Sequence, residues 1–178
     1  NNISIDADIF SPDNSGFAYI GNSETSATVK VTTNNETVHV QVITLAMDVH
    51  EPDLRANVRV EDLNGAPIEP GDILRYTMVG KNIGSDPSVE TYLLDTLPPN
   101  LEYVPGSMEV TFGPNLGVKT DASGDDQGEY IGVDRVVRVN IGTGATEAIG
   151  GTVANSPTGV DSTVVTFEAM VIDDCVQL

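Results

Sequence analysis

Period-two alternation is the feature that most constrains this chain. Ile3-Ser4-Ile5-Asp6-Ala7-Asp8-Ile9 carries apolar residues at the odd positions and polar ones between them, and Thr37-Val38-His39-Val40-Gln41-Val42 repeats the pattern. Successive side chains of a strand point to opposite faces, so both runs predict strands with one buried face. Further β-rich runs cover 26–33, 54–61, 72–79, 89–94, 108–112, 135–141 and 162–172. Turn signals separate them, among them Asn64-Gly65, Glu69-Pro70-Gly71, Leu97-Pro98-Pro99-Asn100 and Pro105-Gly106. With 17 Gly and 10 Pro, every window that would show a helical period is interrupted. The expected fold is all-β, an antiparallel β-sandwich with an additional N-terminal β segment.

Glu51-Pro52-Asp53 breaks the alternation after Val49, and a residue preceding proline is biased to extended backbone. This divides the chain into an N-terminal β segment, 1–50, and a sandwich domain, 51–178. The first is short for a core of its own. It is expected to pack on the second or to enter a neighbouring copy's sheet.

A net charge of −19, from 8 basic and 27 acidic side chains, repels phosphate backbones and anionic lipid. Nucleic acid is therefore excluded as an expected partner. No apolar run approaches the roughly 20 residues of a membrane helix, so no direct membrane insertion is expected. Asn1 opens a polar stretch without a signal-peptide pattern, which reads as a soluble mature or excised segment.

From Pro70 onward an ordered set of motifs stands out. Pro70-Gly71-Asp72, Tyr76, Asn82-Ile83-Gly84, Asp95-Thr96-Leu97-Pro98, Leu101-Glu102-Tyr103 and Pro105-Gly106-Ser107 are followed by 121–130, Gly142-Thr143-Gly144-Ala145 and Thr166-Phe167. Over roughly 53–172 this order resembles the domain-of-unknown-function-eleven repeat. The resemblance implies an Ig-like sandwich repeated in bacterial and archaeal surface proteins as stalk, spacer or adhesive module, without enzymatic activity. Two departures stand out. Met78-Val79-Gly80-Lys81 replaces the usual Thr/Val alternation ahead of Asn82, suggesting a Gly kink, and the family's last strand has no counterpart before Leu178. Either the segment is cut from a longer protein, or the open edge is filled by the N-terminal segment or by another copy, with 3–9 or 38–49 as the expected donor.

The densest polar feature is the loop holding Asp121, Asp125, Asp126 and Glu129, followed by Asp134. Ca²⁺ takes roughly six to eight oxygens, and an acidic loop bearing glycine offers both carboxylates and carbonyls. These five residues are the candidate metal ligands, against the alternative of a solvated acidic turn. Glu51 and Asp53, flanking Pro52 at the boundary, read as a charge-rich hinge, against the alternative of a cation shared between domains that stiffens the joint. The strand acids Asp6 and Asp8 and the pair Asp173-Asp174 are expected to keep an exposed face wet.

No catalytic site is expected. His39 and His50 are the only imidazoles, and His39 lies on the polar side of an alternating run. Two His and one Cys do not make a structural zinc site, and no Gly-rich loop opens a helix for nucleotide binding. Lys81 beside Asn82 is a candidate for an intramolecular isopeptide bond, against the common case of an exposed lysine. The sequons Asn2-Ile3-Ser4 and Asn35-Glu36-Thr37 carry no argument, and Cys175 is buried, free or paired across chains.

The expected function is a non-enzymatic structural or adhesive module of an extracellular bacterial cell-surface protein or fibre, with neighbouring copies or adjacent repeats as partners. The alternative is a carbohydrate- or ligand-binding accessory domain. Such modules display aromatic platforms, and this chain has no Trp and 5% aromatics.

Overall fold

The computed structural model describes residues 9–21, 24–35, 37, 39–40, 42–47, 50–155 and 162–173. It divides into two compact units, Asn1–Ala46 and Met47–Leu178.

The first unit is organised locally around Asn14. Its Oδ1 accepts from the backbone N–H groups of Tyr19 (2.9 Å) and Ile20 (3.0 Å), and its Nδ2 donates to the Ile20 carbonyl (2.9 Å). These bonds close a loop over the 3-10 turn Ser15–Phe17. The strand expected over 26–33 is corrected: the residues there are described and carry none, and neither do Thr37, His39, Val40 and Val42. Val38 and Gln41 lie outside the described residues, as do Ile3–Asp8 of the first expected strand. Alternation selects the face a strand would bury, but a strand also needs a ladder partner for its amides. Ile9, Phe10, Val29, Val31, Val40, Val42, Ile43 and Leu45 are all exposed.

The second unit is all-β, with two antiparallel sheets. One holds β1 (Leu54–Asp62), β2 (Ile73–Asn82), β4 (Leu101–Tyr103), β5 (Glu109–Phe112), β6 (Gly117–Val118) and β10 (Ser162–Val171), in the order β1-β2-β10-β5-β6, with β4 also pairing β10. The other holds β3 (Ser88–Thr96), β7 (Gly128–Ile131), β8 (Val136–Asn140) and β9 (Gly151–Val153), in the order β7-β8-β3-β9. Six of these strands coincide with runs expected from alternation, to within a few residues. The short β4, β6, β7 and β9 were not anticipated.

Both sheets feed one core. Met78 of β2 and Val165, Phe167 and Ala169 of β10 meet Leu93 of β3 and Val137 and Val139 of β8. Tyr76 stacks on Phe167 (4.9 Å between ring centroids), Phe167 lies 6.2 Å from Tyr103, and Tyr103 stacks on Tyr130 (4.3 Å). This aromatic series runs from β2 through β10 and β4 to β7 of the other sheet, and its offset ring contacts add to simple burial.

Gly80 does not kink β2. It stays in register opposite Ala56 and Thr163, and a Cβ there would lie 2.9 Å from the Leu93 side chain and 3.0 Å from that of Ile141. The missing side chain makes room for the opposing sheet.

Candidate functional site

Three polar anchors hold the loops of the second unit, two of them, Asn82 and the acidic loop, drawn from the sequence motifs and the third, Arg135, from outside them. Asn82, at the end of β2 and 4% exposed, uses every hydrogen-bonding position of its amide. Oδ1 accepts from the backbone N–H groups of Asp53 (3.0 Å) and Gly84 (3.0 Å), while Nδ2 donates to the carbonyls of Asp86 (2.7 Å) and Val153 (3.1 Å). One side chain thus joins the entry segment, the loop after β2 and strand β9.

This anchor corrects the reading of Glu51-Pro52-Asp53 as a hinge. The Glu51 carbonyl accepts from Ser85 N (2.9 Å) and Asp86 N (3.3 Å), the Glu51 amide donates to Ser85 Oγ (3.1 Å), and Ile83 N donates to the Asp53 carbonyl (2.8 Å). Gly84 permits the approach, since a Cβ on it would fall 2.2 Å from Asp53 N and 2.3 Å from the Glu51 carbonyl oxygen. The Asp53 carboxylate itself pairs with Arg55 at 2.7 Å.

The second anchor is Arg135, held at φ 58° in the turn between β7 and β8. Its guanidinium donates to the carbonyls of Leu97 (3.3 Å), Pro98 (2.9 Å) and Leu101, and its own carbonyl accepts from Leu97 N (2.8 Å). Two consecutive prolines end β3, and Arg135 supplies the donors that fix the turn after it.

The third anchor is the acidic loop, whose carboxylates the structure divides among different protein donors. Asp121 accepts from the Tyr103 phenol (2.5 Å) and from Gly106 N (2.7 Å). Asp125 Oδ1 accepts from Thr120 Oγ1 (2.6 Å) and Asp126 N (2.9 Å). Asp126 accepts from Thr120 N (2.9 Å) and Gly128 N (2.7 Å), closing the turn into β7. Glu129 pairs with Arg138 at 3.4 Å, and Arg138 in turn lies 4.9 Å over the Tyr92 ring. Asp134 sits exposed in the turn before Arg135. Among the described residues no group of three or more His, Cys, Asp or Glu side chains is arranged to hold a metal ion.

Burial, reinforced by the Asp121 carboxylate, pushes the Tyr103 phenol well above its ordinary value. Asp95 was not anticipated as special. Burial pushes its carboxyl up against an opposing hydrogen bond from Thr96 N, and its Oδ2 has no hydrogen-bond partner among the described residues. Tyr76 is pushed up by burial and by the charge of Asp95. The signal for Asp95 was its place two residues after inward-facing Leu93, which puts a carboxylate on the core side of β3.

Lys81 is exposed while Asn82 is buried with its amide fully engaged, as befits neighbours on opposite faces of one strand. The isopeptide candidate therefore has no supporting geometry. His39 and His50 are exposed, and Cys175 lies outside the described residues. A shallow polar groove of about 290 Å³ lies between Arg75, Ser107, Glu109, Thr111, Thr166 and Glu168, with Arg75 and Glu168 paired at 2.8 Å. Comparison with known protein families, curated proteins and solved structures finds no match.

Proposed function

We propose that the chain is a non-enzymatic structural or adhesive module of an extracellular surface protein or fibre, its second unit an Ig-like sandwich akin to the domain-of-unknown-function-eleven repeat. The observation that carries this reading is the engagement of Asn82, Asp121 and Arg135. Asn82 and Asp121, which stand out in the sequence, and Arg135, which does not, each close a loop with several hydrogen bonds of their own. Motif residues committed in this way hold a scaffold.

Immunogold labelling of intact cells with antibody to the full chain, followed by electron microscopy of the native material, tests this. Label on the outer surface or along fibres is the expected result, and label confined to the cell interior would overturn it.

A further inference from the structure

The edge of the first sheet is unlike its interior. All of β1 except its last residue is exposed, and among the described residues β1 pairs on one side only, with β2. Val58 lies opposite Met78 and Val60 opposite Tyr76, so Leu54, Ala56, Val58 and Val60 share the face that β2 turns to the core. Yet Leu54, Val58 and Val60 are 48, 47 and 45% exposed. Arg55 and Arg59 stand on the opposite face, two of only 8 basic side chains in the chain. Natural edges are protected by charges pointing inward. This edge points the apolar row Leu54, Ala56, Val58 and Val60 inward, with a charge on that face only at its end, Asp62 opposite Leu74, and among the described residues its outward amides and carbonyls meet no strand.

The N-terminal sequence is the complement of that edge. Ile3, Ile5, Ala7 and Ile9 alternate with Ser4, Asp6 and Asp8, four apolar positions with two acids between them. Leu54, Ala56, Val58 and Val60 alternate with Arg55, Asn57 and Arg59, four apolar positions with two arginines between them. Seven residues at about 3.3 Å each span roughly 23 Å, within the length of the nine-residue β1. In the antiparallel register that sets Ile9 against Leu54, Ile3 meets Val60, Asp8 faces Arg55, and Asp6 lies diagonally between Arg55 and Arg59. A register slip of one residue would put the acids on the apolar face. Ile9, the described end of this segment, is 97% exposed.

We propose that β1 is an acceptor edge for strand addition, and that its occupant is the segment Ile3–Ile9 of a second copy of this chain. The proposal rests on the reading of the chain as a structural module of a surface protein or fibre and names two surfaces by which copies would join. A donor and an acceptor at different places on one chain make a heterologous contact, which propagates from copy to copy. Main-chain hydrogen bonds supply attachment, and the alternating pockets and the Arg–Asp pairs supply register.

Sedimentation of the full chain tests it, with a donor variant (Ile3→Asp with Ile5→Asp), an acceptor variant (Val58→Glu with Val60→Glu) and their equimolar mixture. Wild type is expected to form concentration-dependent oligomers, and each variant alone to associate at least tenfold more weakly. The mixture is expected to recover a species of two chains, because each variant retains the surface the other lacks. That recovery distinguishes a lost contact from a lost fold. A second arm reverses the charges: Arg55→Glu with Arg59→Glu weakens assembly, and Asp6→Arg with Asp8→Arg in the same chain restores it. Wild type that stays monomeric, a donor variant that assembles as well as wild type (a different donor, such as 38–49), or a mixture without recovery would overturn the proposal. Surface labelling of cells is independent of these outcomes, so failure here leaves the module reading standing on its own test.

Discussion

The phenol of Tyr103 donates to the carboxylate of Asp121 at 2.5 Å, tying the short strand β4 to the start of the acidic loop. The same carboxylate accepts from Gly106 N at 2.7 Å, so a single acid holds both sides of the turn at Pro105-Gly106. Tyr103→Phe leaves the ring stacked on Tyr130 and removes only the donor. A hydrogen bond to a charged acceptor contributes about 1.5–3 kcal/mol, and a loss of that order is expected in chemical denaturation. The phenol is raised in the fold, so the folded state binds its proton more tightly than the unfolded state, whose value lies near 10.0. Its contribution is full below that value and is lost as pH rises beyond it. Wild type should therefore lose stability above pH 10 more steeply than Tyr103→Phe, and parallel pH profiles would refute the coupling.

Asn82 should be the least replaceable polar residue of the second unit. Asn82→Leu keeps the branched shape of the side chain, with bulkier methyl ends, but strands the amides of Asp53 and Gly84 and the carbonyls of Asp86 and Val153. Each buried group left without a partner costs about 1–3 kcal/mol, so a loss of at least about 3 kcal/mol is expected by urea denaturation. Asn82→Asp retains the acceptor and loses the donors, and should fall between wild type and Asn82→Leu. Equal stability of the leucine variant and wild type would remove Asn82 as an anchor.

Much of this fold was legible because alternation reports directly on burial. β2 and β10 were readable from their own side chains, with Leu74, Met78, Val165, Phe167 and Ala169 all buried at period two. The short β7 and β9 were not, because one of the two inward positions in each is taken by Gly128 or Gly151, leaving Tyr130 and Val153 as single apolar residues with no alternation to read. The N-terminal runs have the pattern of strands, yet none is formed by the described residues, since pairing depends on a partner that no single segment encodes. The Asp and Glu cluster was legible as a cluster. Its division among Thr120, Gly128, Tyr103 and Arg138 depends on contacts made only after the chain has folded.

Asp95 predicts a stabilising substitution. Its carboxyl is raised above the ordinary 3.8, so the folded state holds the proton more tightly than the unfolded one. Stability attributable to this group is then full below 3.8 and declines as pH rises through the raised value. At neutral pH the ionised group, with Oδ2 unpartnered beside Tyr76, is a liability. Asp95→Asn should raise stability at pH 7, with the gain vanishing at pH 3. The exposed Asp134→Asn removes the same unit of charge and serves as the control. A gain of equal size in that control would assign the effect to the net charge of −19.

The acidic loop makes the last prediction. Asp126 accepts from Thr120 N and Gly128 N, and Asp125 from Thr120 Oγ1, so their carboxylates already act as caps for the turn into β7. Removing Asp126 strands the amide of buried Gly128 and frees that of exposed Thr120, whereas removing Asp125 frees one hydroxyl and the adjacent amide to solvent. Asp126→Ala is therefore expected to lower the melting midpoint more than Asp125→Ala, by a margin of about 1 kcal/mol, and to do so in excess chelator. A cation held by Asp121, Asp125, Asp126, Glu129 and Asp134 predicts another pattern. It would add about 2.7 kcal/mol at a hundredfold excess over its dissociation constant, and that gain would disappear in either variant. Melts in chelator, in millimolar Ca²⁺ and in NaCl of matched ionic strength separate the two, because screening of surface charge depends on ionic strength alone. The hydrogen-bonded arrangement predicts equal midpoints in Ca²⁺ and NaCl with the variant order Asp126 below Asp125. A rise specific to Ca²⁺ and lost in both variants would instead make the loop a calcium site.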